Sequence, residues 1–501
     1  NVSNLNLSYA SMGISLFYSD NNTVSENTVT NNSYGIIMVN SDENRLIDNI
    51  FNSNVYESIY LSGSHNNELR NNNASNNGHH GIYLYRSHDN ELRNNNASNN
   101  VRHGINLYQS HNNELRNNDA SNNVRHGINL YQSHNNELRN NDASNNDNNG
   151  IQIDYSSNTR IIENTANSND YGIYLFASYN STLSKNTMLN NGFSVHGYWY
   201  GEYDDFIQNI DTSNTINGKP IYYWINQHNK QVPSDAGYVG IINSTNILVK
   251  DLSLIDNSAG VLVVNSDNSR IENVSLSQNY FGIRIIHSFN IVLSNNTILN
   301  SAYGIRFDFS SQNTLTNNII QDSTYDSLSF DDRTTRLSDF MQNIDTSNIV
   351  NGKPVYYWIN RKNEQVPSDA GFVGLVNCSN IIIRNVKLSN TAQGILLAHT
   401  NFSKIVDVDA YGIVLIKSFY NTITKNVLHS LDNRPLAAIT FKWSSENYIY
   451  FNNFINLFQG LHWSRNSNNI WRSPTNITYN YNDTIHINFL GNYWIDYSEN
   501  D

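Results

Sequence analysis

Cysteine, proline and charge are scarce in this sequence, and long apolar runs are absent. The 501 residues include one cysteine, Cys378, and six prolines, and 15% of the residues are charged. A single cysteine excludes an internal disulfide framework. No run reaches about 20 apolar residues, so the sequence predicts no membrane span. A net charge of −13 argues against nucleic acid and anionic membranes as partners.

Asparagine and a short repeat are what the chain has in abundance. Between Gly13 and Gly172, a glycine or serine followed by isoleucine returns every 22 or 23 residues. Two successive copies, 88–110 and 111–133, differ at two positions. A fixed period of this length is typical of a solenoid, in which each coil contacts only its neighbours.

Within one coil, apolar residues such as Leu115, Ile128 and Leu130 alternate with polar ones over short runs. This period of two predicts strands, and no amphipathic helix fits it. Asn-rich pairs separate the runs and mark about three corners per coil. The predicted fold is therefore all-β, a right-handed parallel β-helix of about eighteen coils stacked at the usual strand spacing.

Eight asparagines recur in register, each three residues after an inward aliphatic residue. They are Asn27, Asn49, Asn72, Asn95, Asn118, Asn141, Asn164 and Asn186. Asparagine tolerates the left-handed backbone conformation of a sharp corner, and stacked amides can hydrogen-bond from coil to coil. We expect these residues to adopt that conformation and to form a structural ladder.

A longer duplication follows the near-identical coils of 65–149. An Asn-Gly-Lys-Pro turn and a Tyr-Tyr-Trp triplet occur at 217–224 and again at 351–358. The turn and the aromatic triplet that follows it predict an inserted hairpin flap in each module. We divide the chain into N-terminal coils 1–203, a flap with coils 204–337, and a flap with coils 338–501 that ends in an aromatic cap.

The two ends of the chain differ in character. The chain opens at Asn1 in mid-repeat, as if a leader or earlier coils had been removed, and few charges protect the strands of its first coil. Residues 460–497 concentrate tryptophan and tyrosine. Unprotected strand edges pair with other chains, and unlike ends favour head-to-tail contacts. We expect self-association or assembly with other envelope proteins.

The duplicated modules and the C-terminal motifs Trp471-Arg-Ser-Pro474, Leu490-Gly-Asn-Tyr-Trp494 and Asp496-Tyr497 resemble NosD-like β-helix surface proteins of methane-producing archaea. These belong to the carbohydrate-binding and sugar-hydrolase class of β-helices. The resemblance spans almost the whole chain and implies an exported, extracellular cell-surface protein. It is compatible with adhesion, polysaccharide binding, polysaccharide cleavage or scaffolding. In that family a segment similar to a calcium loop follows the last motif, whereas this chain stops at Asp501.

Two groups of acidic residues are candidates for glycan hydrolysis, which needs two converging carboxylates. They are Asp204 with Asp205, and Asp331 with Asp332 beside Arg333. Neighbouring residues of a strand face opposite ways, so neither pair converges, and their positions, like that of Asp339, indicate loop or cap roles. We assign no catalytic residue and no cofactor.

Two histidine columns recur at the 23-residue period. They consist of His65, His88, His111 and His134, and of His80, His103 and His126. Stacked imidazoles could converge on a transition metal, and the NosD resemblance adds a link to copper-site maturation. No cysteine, methionine or carboxylate set completes a coordination shell, so we predict no metal site and attribute the columns to duplication.

Further columns are predicted to face outward. Two stacked sets of opposite charge comprise Glu68, Glu91, Glu114 and Glu137, and Arg70, Arg93, Arg116 and Arg139. These form a near-neutral, weakly stabilising stripe. The column Tyr85, Tyr108 and Tyr131 can stack sugar rings or simply pack along the strands.

The leading hypothesis is a structural or adhesive extracellular cell-surface protein, a subunit of an envelope layer, sheath or filament. The alternative is a polysaccharide-binding or polysaccharide-modifying protein, a lyase, epimerase or hydrolase. Its carbohydrate-binding residues would be Tyr222, Tyr223, Trp224, Tyr356, Tyr357 and Trp358. Asn-x-Ser/Thr triplets predict glycosylation at Asn73, Asn96, Asn180, Asn243, Asn273, Asn377, Asn401, Asn476 and Asn482.

Overall fold

The computed structural model describes residues 1–198, 203–331, 333–388, 393–429, 438–455, 462–481 and 484–494. Short strands dominate these residues and form a right-handed parallel β-helix of about 20 turns. The predicted fold class is confirmed, with slightly more turns than the eighteen expected. The described helices are two four-residue 3-10 segments, Tyr203–Phe206 and Leu337–Phe340.

The chain forms two compact units. The first comprises residues 1–225, 235–242 and 255–258, and the second comprises 226–234, 243–254 and 259–501. The division into 1–203, 204–337 and 338–501 remains a proposal.

In the first unit, each coil contributes to three stacks of strands. The long-strand face consists of Met12–Phe17, Tyr34–Val39, Ile59–Ser62, Ile82–Tyr85, Ile105–Tyr108, Ile128–Tyr131, Ile151–Asp154, Tyr171–Phe176 and Gly192–His196. The short-strand face consists of Val2–Ser3, Thr23–Ser25, Arg45–Ile47, Glu68–Arg70, Glu91–Arg93, Glu114–Arg116, Glu137–Arg139, Arg160–Ile162, Thr182–Ser184 and Asn209–Ile210. The third stack consists of Asn6–Ser8, Thr28–Thr30 and Thr187–Met188, linked by single bridges at Ile50, Asn73, Asn96, Asp119, Asp142 and Thr165. The remaining strands are Thr215–Ile216, Lys219–Ile225 and Tyr238–Ile242.

Pairing between coils is parallel and keeps equivalent residues in register. Ile105 and Leu107 lie opposite Ile128 and Leu130 of the next coil. These side chains are fully buried in the core, while Tyr108 alternates to the outside. The period of two in the sequence therefore separates a thin apolar core from polar and aromatic outer faces.

Glycine precedes the long strands because the backbone there leaves no room for a side chain. A Cβ atom on Gly104 would lie 2.7 Å from the Ala97 carbonyl oxygen and 2.8 Å from Nδ2 of Asn123. Contacts this short would force the corner and the strand apart. Close packing thus explains the glycine punctuation of the repeat.

The eight predicted asparagines form a continuous hydrogen-bonded ladder inside the corner. Nδ2 of Asn95 donates to Oδ1 of Asn118 at 3.0 Å, and Nδ2 of Asn118 donates to Oδ1 of Asn141 at 2.9 Å. The left-handed residue of each corner is the one before, such as Asn94 and Asn117, with φ of 53° and 54°. The expectation that the ladder residues themselves adopt this conformation is wrong, because their backbone N–H groups donate to the next amide oxygen of the ladder.

The second unit repeats this architecture. Its first stack consists of Ala259–Val264, Phe281–Ile286, Tyr303–Asp308 and Asp326–Phe330. Its second stack consists of His228–Gln231, Thr245–Lys250, Arg270–Glu272, Val292–Ser294, Thr314–Thr316 and Asn343–Ile344. Its third stack consists of Ser275–Ser277, Thr297–Leu299, Ile319–Gln321, Ile349–Val350, Lys353–Ile359, Phe372–Val376, Ile395–Ala398, Ile413–Ile416, Ile439–Lys442 and His462–Arg465. A fourth stack consists of Gln365–Val366, Ile382–Arg384, Lys404–Val406, Thr422–Thr424 and Tyr448–Tyr450. A fifth stack consists of Asp409–Ala410, Val427–His429, Asn453–Ile455 and Tyr493–Trp494. Ser253–Ile255 begins in this unit, and Ile477–Tyr481 with Thr484–Asn488 form an antiparallel hairpin.

The predicted flaps are short hairpins that lead directly into coil strands. Thr215–Ile216 pairs antiparallel with Lys219 and Pro220, after which Lys219–Ile225 pairs in parallel with Tyr238–Ile242. Ile349–Val350 and Lys353–Ile359 repeat the arrangement in the second unit. The aromatic triplets therefore belong to the β-helix itself.

Within the predicted aromatic cap, Trp471 packs against the core of the second unit, with its ring centroid 6.1 Å from that of Phe441. The side chains of Trp463, Tyr481 and Trp494, and residues 460, 461 and 495–501, lie outside the described part of the chain.

Candidate functional site

A shallow groove of about 580 Å³ lies on the near-identical coils of the first unit. We call it the repeat groove, and it is lined by Arg86, His88, Gln109, His111, Gln132, His134 and Tyr155. Three successive coils contribute equivalent residues, so the same chemistry recurs along it.

One wall of the repeat groove starts where the long strands end. Arg86, Gln109 and Gln132 directly follow Ile82–Tyr85, Ile105–Tyr108 and Ile128–Tyr131, and their φ angles of 49–50° turn the chain sharply. Nε of Arg86 donates to Oε1 of Gln109 at 2.9 Å, and Nε2 of Gln109 donates to Oε1 of Gln132 at 2.9 Å. The wall is therefore an ordered row of guanidinium and amide groups.

The other wall is the outer histidine column, whose rings stack face to face. Ring centroids of His88 and His111 are 4.9 Å apart, and those of His111 and His134 are 5.2 Å apart. Nδ1 of His88 accepts a hydrogen bond from the backbone N–H of His111 at 2.9 Å, and Nδ1 of His111 accepts one from His134 at 3.0 Å. Because Nδ1 is an acceptor, the proton of each neutral ring lies on Nε2.

Burial lowers the pKa of His88, His111 and His134 from the ordinary histidine value, with a further contribution from neighbouring imidazoles for His88 and His111. The rings are therefore neutral at neutral pH. This wall presents a row of Nε2–H donors, while no ring keeps an Nε2 lone pair for a metal ion.

The predicted tyrosine column lies beside the groove. Ring centroids of Tyr85 and Tyr108 are 5.7 Å apart and those of Tyr108 and Tyr131 are 5.2 Å apart. Because the rings cover one another's faces, they present mainly edges and hydroxyl groups to a ligand.

The arginine of the repeat groove has no carboxylate partner, unlike the arginines of the short-strand face. Among the described residues, Arg86 of the groove wall forms no ion pair with a carboxylate; its Nε donates to Gln109 and its guanidinium lies 5.1 Å from the centroid of the Tyr85 ring. On the short-strand face, by contrast, arginines pair with glutamates, as in Arg45–Glu68 at 2.8 Å and Arg116–Glu137 at 3.3 Å. The predicted stripe of opposite charges lies on that face and leaves little net field.

The triplet aromatics are largely structural in position. Tyr223 and Tyr357 are buried, and their hydroxyls donate to the backbone oxygens of Phe206 and Phe340 at 2.7 and 2.6 Å. Trp358 is buried too. Tyr222, Trp224 and Tyr356 are half-exposed. The triplets therefore offer a ligand one or two rings each, and their role in carbohydrate binding stays a prediction.

The acidic candidates occupy capping and ion-pair positions. Asp205 lies in a 3-10 helix and accepts the backbone N–H of Tyr198 at 2.8 Å. Asp331 is buried against Arg333, and Asp339 lies in the second 3-10 helix and accepts the hydroxyl of Thr334. Asp332 lies outside the described residues. Of the other pair, Asp204 is exposed whereas Asp205 is buried.

The predicted glycosylation sites differ in accessibility. Asn180, Asn243, Asn273, Asn377 and Asn476 are exposed, whereas Asn73, Asn96 and Asn401 are half-buried. The side-chain Oδ1 atoms of Asn73 and Asn96 accept hydrogen bonds from the hydroxyl groups of Ser75 and Ser98 in their own triplets. Asn482 lies outside the described residues.

Sequence reasoning missed the Arg86, Gln109 and Gln132 wall. Its signal was a recurring polar residue between a strand and a buried serine, at a position that is easily taken for an ordinary turn. The importance of the wall appears only when the histidine column is placed opposite it.

Comparison with known proteins identifies the family. The family model described as periplasmic copper-binding protein (NosD) matches residues 209–366 and 358–499, which together exceed half of the chain. The chain belongs to the NosD family. A second model, described as right handed beta helix region, matches residues 1–132 and 78–216 of this NosD-family chain. No curated protein matches it.

Solved structures similar to this NosD-family chain are distant. The tailspike protein gp49 from Pseudomonas phage LKA1 is 12% identical, with a TM-score of 0.27, and the match covers 68% of this chain and 52% of that chain. The chain thus spans about half the length of that tailspike. A tailspike double mutant of E. coli bacteriophage HK620 is 11% identical, with a TM-score of 0.30 and coverage of 79% and 69%. The mannuronan C-5 epimerase AlgE4 A-module of Azotobacter vinelandii is 9% identical, with a TM-score of 0.20 and coverage of 87% and 89%.

The described residues of 209–499 contain no set of converging side chains that could bind the copper named in the family description. No group of three histidine, cysteine or carboxylate side chains converges there. Burial raises the pKa of the Cys378 thiol, whose Sγ donates to the backbone oxygens of Trp358 and Val376. A protonated, hydrogen-bonded thiol is a poor copper ligand. Among the described residues, no helix is long and apolar enough to cross a membrane.

Proposed function

We propose that this NosD-family protein is an exported, adhesive surface protein that binds an extended polysaccharide along the repeat groove. The observation that carries the proposal is the recurrence of one set of donors and acceptors, an amide or guanidinium row facing a row of imidazole N–H groups, on successive coils. A polymer of repeating sugars matches a surface of repeating sites.

The spacing of the groove suits such a polymer. Equivalent rings of the histidine wall are 4.9–5.2 Å apart, which is comparable with the advance of one sugar along an extended polysaccharide chain. Each sugar could therefore meet the same Gln and His pair as its neighbour. Weak contacts of this kind gain strength by acting together on one chain.

The charge pattern favours an acidic polysaccharide. Arg86 lies in the groove wall and has no carboxylate partner among the described residues, although the whole chain has a net charge of −13. Guanidinium groups recognise carboxylates through paired hydrogen bonds. We therefore expect uronate-containing chains to bind better than neutral ones.

Adhesion fits the groove better than cleavage does. Asp205, Asp331 and Asp339 are engaged in hydrogen bonds or ion pairs. The imidazoles of the groove have their Nδ1 atoms occupied by backbone N–H groups. Placement at the cell surface, glycosylation of the exposed asparagines, and assembly with other copies or envelope proteins belong to the same proposal. Light scattering on purified protein and electron microscopy of native envelope material test the assembly.

The binding test uses the double variant Gln109→Ala with Gln132→Ala. Loss of two hydrogen-bonding amides at about 0.5–1.5 kcal/mol each should weaken binding of an oligouronate by about 5- to 150-fold, as measured by calorimetry. The matched control is Glu91→Gln with Glu114→Gln on the short-strand face, which should leave the affinity unchanged.

Two results would contradict the proposal. One is the absence of saturable binding across a panel of uronate-containing and neutral polysaccharides. The other is an equal loss of affinity in the short-strand control, which would place the ligand elsewhere.

A further inference from the structure

Glu57, His79 and His80 form a cluster that the repeat pattern does not predict. One ligand atom from each of the three residues can be chosen so that all lie within 4.8 Å of one another. Nδ1 of His79 contacts Oε1 of Glu57, and the rings of His79 and His80 lie 4.4 Å apart at 75°. We name these three residues the histidine–glutamate cluster.

The cluster arises where the coils change. Ser58, Gly81 and Gly104 are equivalent positions of successive coils, so Glu57 stands in the column that His80, His103 and His126 continue. His79 has Arg102 as its equivalent in the next coil. A carboxylate therefore replaces a histidine at one end of the inner column, and an extra imidazole stands beside it.

We propose that the histidine–glutamate cluster binds one divalent transition-metal ion, with Cu²⁺ and Zn²⁺ as the best-matched ions. Two imidazole nitrogens and one carboxylate oxygen are a donor set that suits these ions and is poor for Mg²⁺. Ligands lie about 2.0–2.2 Å from zinc, so the three side chains, whose ligand atoms lie within 4.8 Å of one another, would rotate to close on the ion. The cluster lies outside residues 209–499, so it does not derive from the family match.

Burial shields most of the histidine–glutamate cluster from water. Glu57 and His80 are 7% and 5% exposed, while the His79 side chain is 23% exposed and faces the solvent more than the others. A metal ion would enter from the His79 side, where water can complete its coordination.

The hydrogen bonds distinguish this cluster from the histidine columns. In the outer column, Nδ1 atoms accept backbone N–H groups at 2.9–3.0 Å, which holds the protons on Nε2. Nδ1 of His79 faces the Glu57 carboxylate and not a backbone N–H, so a metal ion can take the place of the proton between Nδ1 and Oε1 of Glu57. His80 accepts the backbone N–H of His103 at 3.3 Å, the longest such contact of the two columns. It is therefore the weakest of these hydrogen bonds and the one most easily exchanged for a metal ion.

The test is titration of the untagged full chain with CuCl₂ and with ZnCl₂ by calorimetry, with MgCl₂ as the negative control ion. We expect one saturable site per chain for each transition metal. His79→Ala and, separately, Glu57→Gln should weaken binding by about ten- to a hundredfold. His111→Gln, in the outer column, is the matched control and should bind as the parent does.

Electron paramagnetic resonance of the Cu²⁺-loaded chain supplies a second readout. The parent spectrum should show coupling to imidazole nitrogen that His79→Ala diminishes. A zinc-dependent rise in melting temperature, present in the parent and in His111→Gln but lost in His79→Ala, should accompany it. Absence of saturable binding, or equal effects of His79→Ala and His111→Gln, would overturn the proposal and leave an ordinary Glu–His ion pair.

Discussion

A ladder asparagine has every polar atom of its side chain engaged. Nδ2 of Asn118 donates to Oδ1 of Asn141 at 2.9 Å and to the Leu92 backbone oxygen at 3.0 Å. Its Oδ1 accepts from both Nδ2 and the backbone N–H of Asn95 at 3.0 Å. With 1% of Asn118 exposed, water cannot replace any of these partners.

Replacing Asn118 with Leu should destabilise the protein by about 1–3 kcal/mol, because buried partners in two coils lose their hydrogen bonds. Solenoid coils contact only their neighbours, so hydrogen exchange should rise within one or two coils of the substitution. Asn129→Leu, on the outer side of a strand, is the control and should change the melting curve little. An unchanged melting curve for Asn118→Leu would count against the ladder.

Asp308 in the second unit is a buried carboxylate held by two arginines. It lies 2.9 Å from Nε of Arg284 and 2.8 Å from Nε of Arg306. Burial opposes its charge, but Arg306 and Arg284 outweigh burial and hold the pKa of Asp308 at about 2. Its contribution to stability is therefore complete above the unfolded pKa of about 3.9 and is lost as the pH falls towards 2.

Replacing Asp308 with Asn should destabilise the second unit by about 3–5 kcal/mol, because the buried Arg284 and the half-buried Arg306 lose the carboxylate that holds them. Urea unfolding at neutral pH measures the change. Glu272→Gln, which removes the half-buried partner of the exposed Arg270, should cost less than about 1 kcal/mol. Similar costs for the two variants would show that the buried pair is no stronger than the surface pair.

At the scale of one element, the inner histidine column behaves as a stack of neutral rings. Ring centroids of His103 and His126 lie 5.0 Å apart. Burial, with smaller effects from nearby charged groups, lowers the pKa of His103 to about 2 and that of His126 to about 4. The unfolded chain binds protons at these residues near pH 6.5, whereas the folded chain does not.

Stability from this column should therefore be complete above about pH 6.5 and decline as the pH falls towards 4. Melting temperatures in metal-free buffer between pH 7 and 4 should show the decline. His103→Gln with His126→Gln should flatten it, since glutamine does not titrate. A decline of the same slope in that variant would assign the effect to other groups.

The strands and the ladder were predictable because both follow from local periodicity. Alternation predicted the buried Ile105 and Leu107, and the 23-residue register predicted which asparagines meet. The same alternation places Tyr223 on the inner side with Ile221, a signal that the flap interpretation overlooked.

The functional surfaces were harder to predict because they depend on residues from different coils and corners. The repeat groove needs the Gln109 wall and the His111 wall to face each other across a turn. Glu57 meets His79 only because one coil departs from the column pattern of the next. The repeat pattern predicts the residues that all coils share, whereas the Glu57 and His79 contact depends on residues at which one coil differs from the next.

At the scale of the molecule, the coil is the unit of construction. Residues 111–133 pair in register with the coils before and after them, and their core residues are the same as those of 88–110. Removing this whole coil would bring equivalent residues of its neighbours into contact.

Deletion of residues 111–133 should therefore yield a folded protein with the same circular dichroism spectrum and a somewhat lower stability. Deletion of 111–122, half a coil, should prevent folding of the first unit, because strand residues would meet corner residues. The whole-coil deletion should also shorten the repeat groove and weaken glycan binding. Folding of the half-coil deletion would contradict residue-by-residue register.

The ladder hydrogen bonds also give the β-helix a direction. In the corner ladder, the backbone N–H and Nδ2 of each asparagine donate to Oδ1 of the next coil, from Asn27 through to Asn186. A duplicated coil therefore arrives with one donor face and one acceptor face already matched to its new neighbours. Lengthening by copying leaves no buried amide unpaired, so a gene encoding this ladder can extend its binding surface through a single in-frame duplication without first having to repair the core.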